Sequence, residues 1–430
     1  MAEQDIYGGR MSPGPVPVDR ATERLSHGRS EQDIYGQHFS QTFDRARDAI
    51  REHIPHPGGG DRGSGAEQDL YSSRFGNAFD KAKQNIPHVG ERRGASGAEQ
   101  DLYGSHFHTG SSTTTLGLVQ SAVLPSFSFH AAFSTIAYGV SRYTGRAEGK
   151  DWFWPTGITL NAWWSAIGAR VVNDGLSVST AWSMLTYSEK LLLGGVTAWG
   201  GRLLYRIASR SISRGHDDPR YDAVKKDPGF WNKALYTMFW PEAVAQTLIS
   251  LPFVLPFRAP AASIQASPVT SNATAWHSLA VFLFSTGFAI EVLADAQLAH
   301  HKKNKWTGLC RQNVWSIVRH PNYLGDALIH ASFPILLIGA GLFHPLAALG
   351  PIANYVFLRF IGGDRENEQT QAERYEKEDP VKAVEFRQYR EEKNSFWPNV
   401  RELGNKWSWV VLAAGVGGVL LENGVRSVLA

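Results

Sequence analysis

The chain has 430 residues, with 43 Lys and Arg against 40 Asp and Glu; a net charge of +3 makes no case for nucleic acid as a partner. Its single cysteine, Cys310, excludes an intramolecular disulfide and any multi-cysteine metal site. The mean hydropathy of −0.25 averages a polar first quarter with a strongly apolar remainder and describes neither.

The first thirty residues lack an apolar core, so no secretory signal is expected and membrane targeting falls to internal segments. A short motif then repeats: Glu3-Gln-Asp-Ile-Tyr7, Glu31-Gln-Asp-Ile-Tyr35, Glu67-Gln-Asp-Leu-Tyr71 and Glu99-Gln-Asp-Leu-Tyr103. Two copies run on into Phe39-Ser-Gln-Thr-Phe43 and Phe75-Gly-Asn-Ala-Phe79, which place aromatic rings on one helix face. Ile54-Pro55-His56 and Ile86-Pro87-His88 then stop any helix. Irregular spacing and low apolar content argue against a stacked solenoid. Residues 1–110 read as a disordered tail whose repeats either fold on a protein partner or membrane surface, or form a duplicated linker. The scattered histidines (His38, His53, His56, His106, His108) lack a metal-ligand spacing.

From Leu116 the apolar runs approach membrane length, about 20 residues each. They are Leu116–Val140, Phe153–Val172, Leu185–Ala208, Ala234–Phe257, Ala275–Leu298, Tyr323–Leu342 and Leu346–Ile361. A further run, Trp407–Leu421, is shorter and rich in glycine. The pattern predicts an all-α, multi-pass membrane bundle of about seven spans over residues 111–430. Trp152, Trp154, Trp231, Trp240 and Trp276 sit at run edges, where interfacial rings belong. Basic residues crowd the loops after Arg202, before Arg319 and after Arg359, whereas 258–274 and Gly341–Pro345 are nearly uncharged. By the positive-inside rule the charged loops face the cytosol.

The most informative stretch is Trp315-Ser-Ile-Val-Arg319-His320-Pro321-Asn322-Tyr323-Leu-Gly325-Asp326, set directly before an apolar run. Polar groups at the mouth of a membrane helix are costly to desolvate and usually carry function. Pro321 suits a first helical turn, whose open amides beside Arg319 and His320 would accept a phosphate or pyrophosphate. The plain alternative is a basic anchor touching lipid headgroups.

These residues resemble the signature of the membrane-embedded sterol and steroid reductases, including the delta-14 sterol reductase type and the branch known as DUF1295. The pattern Trp, three residues, Arg-His-x-Asn-Tyr-x-Gly-Asp/Glu is filled at every position. Its shorter part, Arg319-His320-Pro321-x-Tyr323-x-Gly325, also resembles isoprenylcysteine carboxyl methyltransferases.

Three further stretches join it. Glu291 and Asp295, four apart on one face of an apolar helix, need a proton or a cation to sit there. They resemble the reductase block whose carboxylate helps hold the nicotinamide cofactor, although a polar face packed inside the bundle gives the same pattern. Asp364-Arg365-Glu-Asn-Glu368, Tyr375, Phe386-Arg-Gln-Tyr389 and Phe396-Trp397-Pro398 are similar to the reductases' closing segment; alone, they would read as a solvated helix. The segment Glu378-Asp379-Pro380 departs from the usual spacing there. Trp199-Gly-Gly-Arg202-Leu and Asp217-Asp218-Pro-Arg220-Tyr221 are similar to two DUF1295 blocks, with Asp217 where Glu is usual. The resemblance is strongest over 199–398.

The resemblance implies an NADPH-dependent oxidoreductase that reduces a carbon–carbon double bond of a lipid, in a membrane such as the endoplasmic reticulum. The cofactor would be held by Asp295, Trp315, Arg319, His320, Asn322, Tyr323, Asp326, Arg365, Glu368 and Tyr375, its mouth facing the cytosol. Tyr323 and Glu291 are the candidate catalytic acids, and no metal is expected. Two alternatives stay open: S-adenosylmethionine-dependent methyl transfer, and a non-catalytic membrane scaffold presenting the repeats.

Overall fold

A computed structural model describes residues 115–222, 224–259, 272–304, 308–361 and 363–429. The repeat-bearing tail, and with it the expectation of disorder, lies outside the described residues, as does most of the sparsely charged loop 258–274.

All regular structure among the described residues is helical. The elements used below are α1 (Leu124–Thr144), α2 (Gly149–Trp163), α3 (Tyr187–Arg214), α4 (Trp240–Ile249) and α5 (Leu251–Arg258). They continue as α6 (Ala273–Lys303), α7 (Pro321–Gly339), α8 (Leu349–Phe360), α9 (Asp364–Glu378), α10 (Pro380–Glu392) and α11 (Lys406–Leu429).

Local sequence explains several boundaries. A capping box starts α3, with Thr186 accepting from the Glu189 amide and the Glu189 side chain returning to the Thr186 amide. Gly215, with φ at 74°, ends it in the left-handed conformation that glycine adopts without steric cost. The Glu378-Asp379-Pro380 segment is the turn between α9 and α10: Asp379 caps α10 through the Lys382 amide, and Pro380 takes the first helical position.

Among the described residues two helices, α6 and α11, are long and apolar enough to cross a membrane, and a third crossing results if the pieces on either side of Ser250 form one span. This fits a membrane protein. The run Ala234–Phe257 is not one straight helix but bends by 59° at Ser250. Pro252 supplies the reason, since it has no amide for the helical ladder and its ring crowds the carbonyl a turn earlier. The glycine-rich run near the C-terminus, short in the sequence, extends as α11 through 24 residues.

The tightest crossing is between α6 and α7. A Cβ on Gly287 would lie 2.5 Å from the Gly325 carbonyl oxygen, and one on Gly325 would lie 2.6 Å from the Gly287 oxygen. Only paired glycines let the backbones touch this way. The contact sets Glu291, one turn from Gly287, beside Asp326, the neighbour of Gly325.

Candidate functional site

Two polar joints flank the start of α7. The first lies inside the bundle. Arg202 of α3 donates to Glu291 Oε1 at 2.8 Å and to Asp295 Oδ2 at 2.5 Å, both on α6, and Arg206 Nε approaches Asp295 at 3.6 Å. The Trp199 indole, one turn before Arg202, donates to Asp326 Oδ1 at 2.5 Å. Asn354 of α8 donates to Asp326 Oδ2 at 3.0 Å. Three carboxylates and two guanidiniums from three helices thus share one layer, with an amide from a fourth. The excess of negative charge suits a hydrogen-bond donor, or a centre that becomes positive.

The second joint lies at the mouth of α7. Glu368 of α9 takes a bidentate pair from Arg319, at 2.7 and 2.8 Å, and meets His320 Nε2 at 2.9 Å. Arg390 Nε stands 3.4 Å away. Burial favours the neutral acid, but hydrogen bonds from His320 and Arg319 outweigh it and hold the Glu368 carboxyl down at about 2. Arg319 Nη1 also reaches the carbonyls of Arg390 and Lys393. The His320 ring stacks on Tyr323, with centroids 5.3 Å apart, and Asn367 donates to the Tyr323 hydroxyl at 2.7 Å.

The structure therefore gathers Glu291, Asp295 and Asp326 around Arg202, and Arg319, His320 and Tyr323 around Glu368 and Asn367. Asn322, in the first turn of α7, is half-buried. Three expected site residues sit elsewhere. Trp315 is a buried core ring whose indole donates to the Ala294 carbonyl at 3.1 Å. Tyr375 packs beneath the α9–α10 hairpin with Phe386 and Tyr389. Arg365 is exposed, its guanidinium 4.6 Å from the centre of the Phe360 ring.

Asn354, Asn367 and His330 were not singled out in the sequence. His330 is fully buried one turn after Asp326, its Nε2 3.8 Å from Asp326 Oδ1 and its ring edge-on to Trp199. The i,i+4 spacing from Asp326 was a signal for it. Asn367 stood unnumbered inside the Asp364–Glu368 block, and nothing in the sequence marks Asn354, because its partner lies on another helix.

The Asp217–Tyr221 block builds a separate latch. Asp217 accepts from the amides of Ala147 and Glu148 at 2.9 and 3.0 Å, just before α2. Asp218 pairs with Arg214 and Arg220, each at 3.1 Å. Burial works against its charge, yet Arg220 and Arg214 hold its carboxyl at about 2. These contacts tie the end of α3 to the start of α2.

The fold and its two joints define an all-helical protein of membrane character with a buried, ion-paired polar layer at one end. A family model described as protein of unknown function (DUF1295) matches residues 137–393, more than half of the chain, and the chain belongs to that family. No curated protein and no solved structure matches it.

Proposed function

We propose that the protein is a membrane oxidoreductase, a bundle of about seven spans, that uses NADPH to reduce a carbon–carbon double bond of a lipid. The observation that carries this reading is the convergence of Trp199, Arg202, Glu291, Asp295 and Asp326 on one buried layer. These residues come from three separate stretches that resemble the reductases.

The donor set fits the polar half of such a cofactor in part. The carboxylate layer would accept from ribose hydroxyls or a carboxamide, and it favours the positive charge that a dihydronicotinamide acquires on giving up hydride. Arg319 is bound to Glu368 and to two carbonyls, so it serves first as a strut. The half-exposed Arg390, 3.4 Å from Glu368, is better placed to meet phosphate. Glu291 is committed to Arg202, which suits it to orienting a ligand. Tyr323, held by Asn367, is then the preferred proton donor to the lipid.

Titrating the full-length protein in detergent with NADPH and, separately, S-adenosylmethionine tests the reading. NADPH should bind, and Asp326→Asn should weaken it about tenfold to a hundredfold, with melting temperature as the control for folding. Binding of S-adenosylmethionine alone would replace the reading with methyl transfer. Binding of neither would favour a scaffold.

A further inference from the structure

The segment between α10 and α11 is polar inside and apolar outside. It passes through a short 3-10 turn, Val400–Gly404. The one carboxylate of that turn, Glu402, is buried; it pairs with Lys393 at 2.6 Å and accepts from the Asn405 amide at 3.1 Å. Apolar side chains face outward instead. Val400 is 79 % exposed and Leu403 61 %, and the Trp397 and Trp409 rings are exposed as well. The fold holds them there: the Trp409 indole donates to the Leu403 carbonyl at 2.8 Å, and the Trp397 indole to the Tyr355 hydroxyl at 3.3 Å. Burying a carboxylate while showing such side chains to water is doubly unfavourable, and an apolar surrounding relieves the second cost.

Two neighbours identify that surrounding. α11 begins at Lys406, directly after the turn, and is long and apolar enough to cross a membrane. At 1.5 Å per residue its 24 residues reach about 36 Å, against a hydrocarbon layer of about 30 Å. Lys406 therefore falls at the edge of that layer and the turn before it among the headgroups. On the other side, Trp397 packs on Tyr355 of α8, whose Ile352, Val356 and Phe360 make an exposed apolar stripe along one face. Tryptophan favours the headgroup layer, where its ring is buried and its N–H is satisfied. Arg401 and Lys406, both exposed, carry the charge that lipid phosphates attract.

We propose that residues 397–409 form an interfacial anchor, with their outward side chains set among the headgroups and upper acyl chains of a phospholipid bilayer. The anchor is joined to the mouth of α7. The amides of Arg319 and His320 donate to the carbonyls of Asn394 and Ser395, just before Trp397, and Phe396 packs with Tyr323. The Arg319–Glu368 joint is thereby held at the membrane surface rather than deep in the bilayer. This placement is independent of the NADPH reading, since it rests on the surface past residue 393 and holds whatever ligand the bundle takes.

The test uses the full-length protein with Cys310→Ala and one new cysteine, Val400→Cys, Leu403→Cys or Glu378→Cys, carrying an environment-sensitive fluorophore. Each protein is reconstituted in phospholipid vesicles bearing a nitroxide quencher on the headgroup, on the upper acyl chain or at the chain end. Labels at Val400 and Leu403 should lose most of their emission to the headgroup and upper-chain quenchers and little to the chain-end quencher. The label at Glu378, exposed at the end of the charged helix α9, should keep its emission. Quenching at Val400 and Leu403 no stronger than at Glu378, or strongest from the chain end, would overturn the proposal. An unquenched Val400→Cys protein that forms disulfide-linked dimers would overturn it too, and would assign the surface to a second copy of the chain.

Discussion

Gly287 and Gly325 meet backbone to backbone, each carbonyl oxygen occupying the space where the other's Cβ would stand. The approach fixes the spacing of α6 and α7, and so the distance between the carboxylates of Glu291 and Asp326. Alanine at either position should destabilise the protein by about 1–3 kcal/mol through overpacking. Gly194→Ala, into open space, should be neutral or mildly stabilising. Thermal unfolding of the three variants in one detergent checks this, and equal melting temperatures would show that the helices separate freely.

Arg202 pairs with the buried Glu291 and the half-buried Asp295 at once. Arg202→Met should cost about 3–5 kcal/mol, because it takes the paired guanidinium away from Glu291 and Asp295 together. Adding Glu291→Gln and Asp295→Asn to that variant should restore much of the loss. The comparison is a melting series, and failure of the triple variant to recover would mean that Arg202 acts through packing.

Glu368 predicts an acid dependence with a definite sign. Its carboxyl titrates at about 2 in the folded protein, below the ordinary 4.5, so the unfolded chain binds the proton more readily. The contribution, on the order of 3 kcal/mol, is complete above about pH 5 and is lost as pH falls towards 2. Glu368→Gln should be less stable at neutral pH and should show a flatter stability profile between pH 5 and pH 2. A profile as steep as that of the wild type would assign the acid sensitivity to other carboxylates.

Cys310 is buried, and burial pushes its thiol up to about 11, with Lys302 opposing weakly. Thiolate is the reactive form, so alkylation near neutral pH should be slow in the folded protein and fast after denaturation. Mass spectrometry of maleimide-treated protein reads this directly. Rapid modification of the native protein would show that the loop before Asn313 opens.

The sequence revealed patterns along a helix far better than contacts across helices. Glu291 and Asp295 were legible as a pair because their spacing puts them on one face, and the turn at Pro321 was legible from its ring. Their counterion was not: Arg202 lies on α3 and was marked only within a block similar to other family sequences. Trp315 and Tyr375 look alike in a motif whether they touch a ligand or fill a core, and both proved to be core residues. The bend at Ser250 was missed because hydropathy over Ala234–Phe257 is continuous, while one proline decides the direction of the chain. The extent of α11 was underestimated because glycine lowers helix propensity but not packing, and Gly415 and Gly418 seat the helix against α6.

The amides of Arg319 and His320 donate to the carbonyls of Asn394 and Ser395, at 3.0 and 2.9 Å. The family match ends at residue 393, one position short of those acceptors. A fragment cut at the family boundary would keep every residue of the central motif yet strip two hydrogen-bond acceptors from the peptide that carries it. The folding unit is therefore longer than the inherited one, and a fragment meant to preserve the mouth of α7 has to run at least through Phe396, which packs against Tyr323.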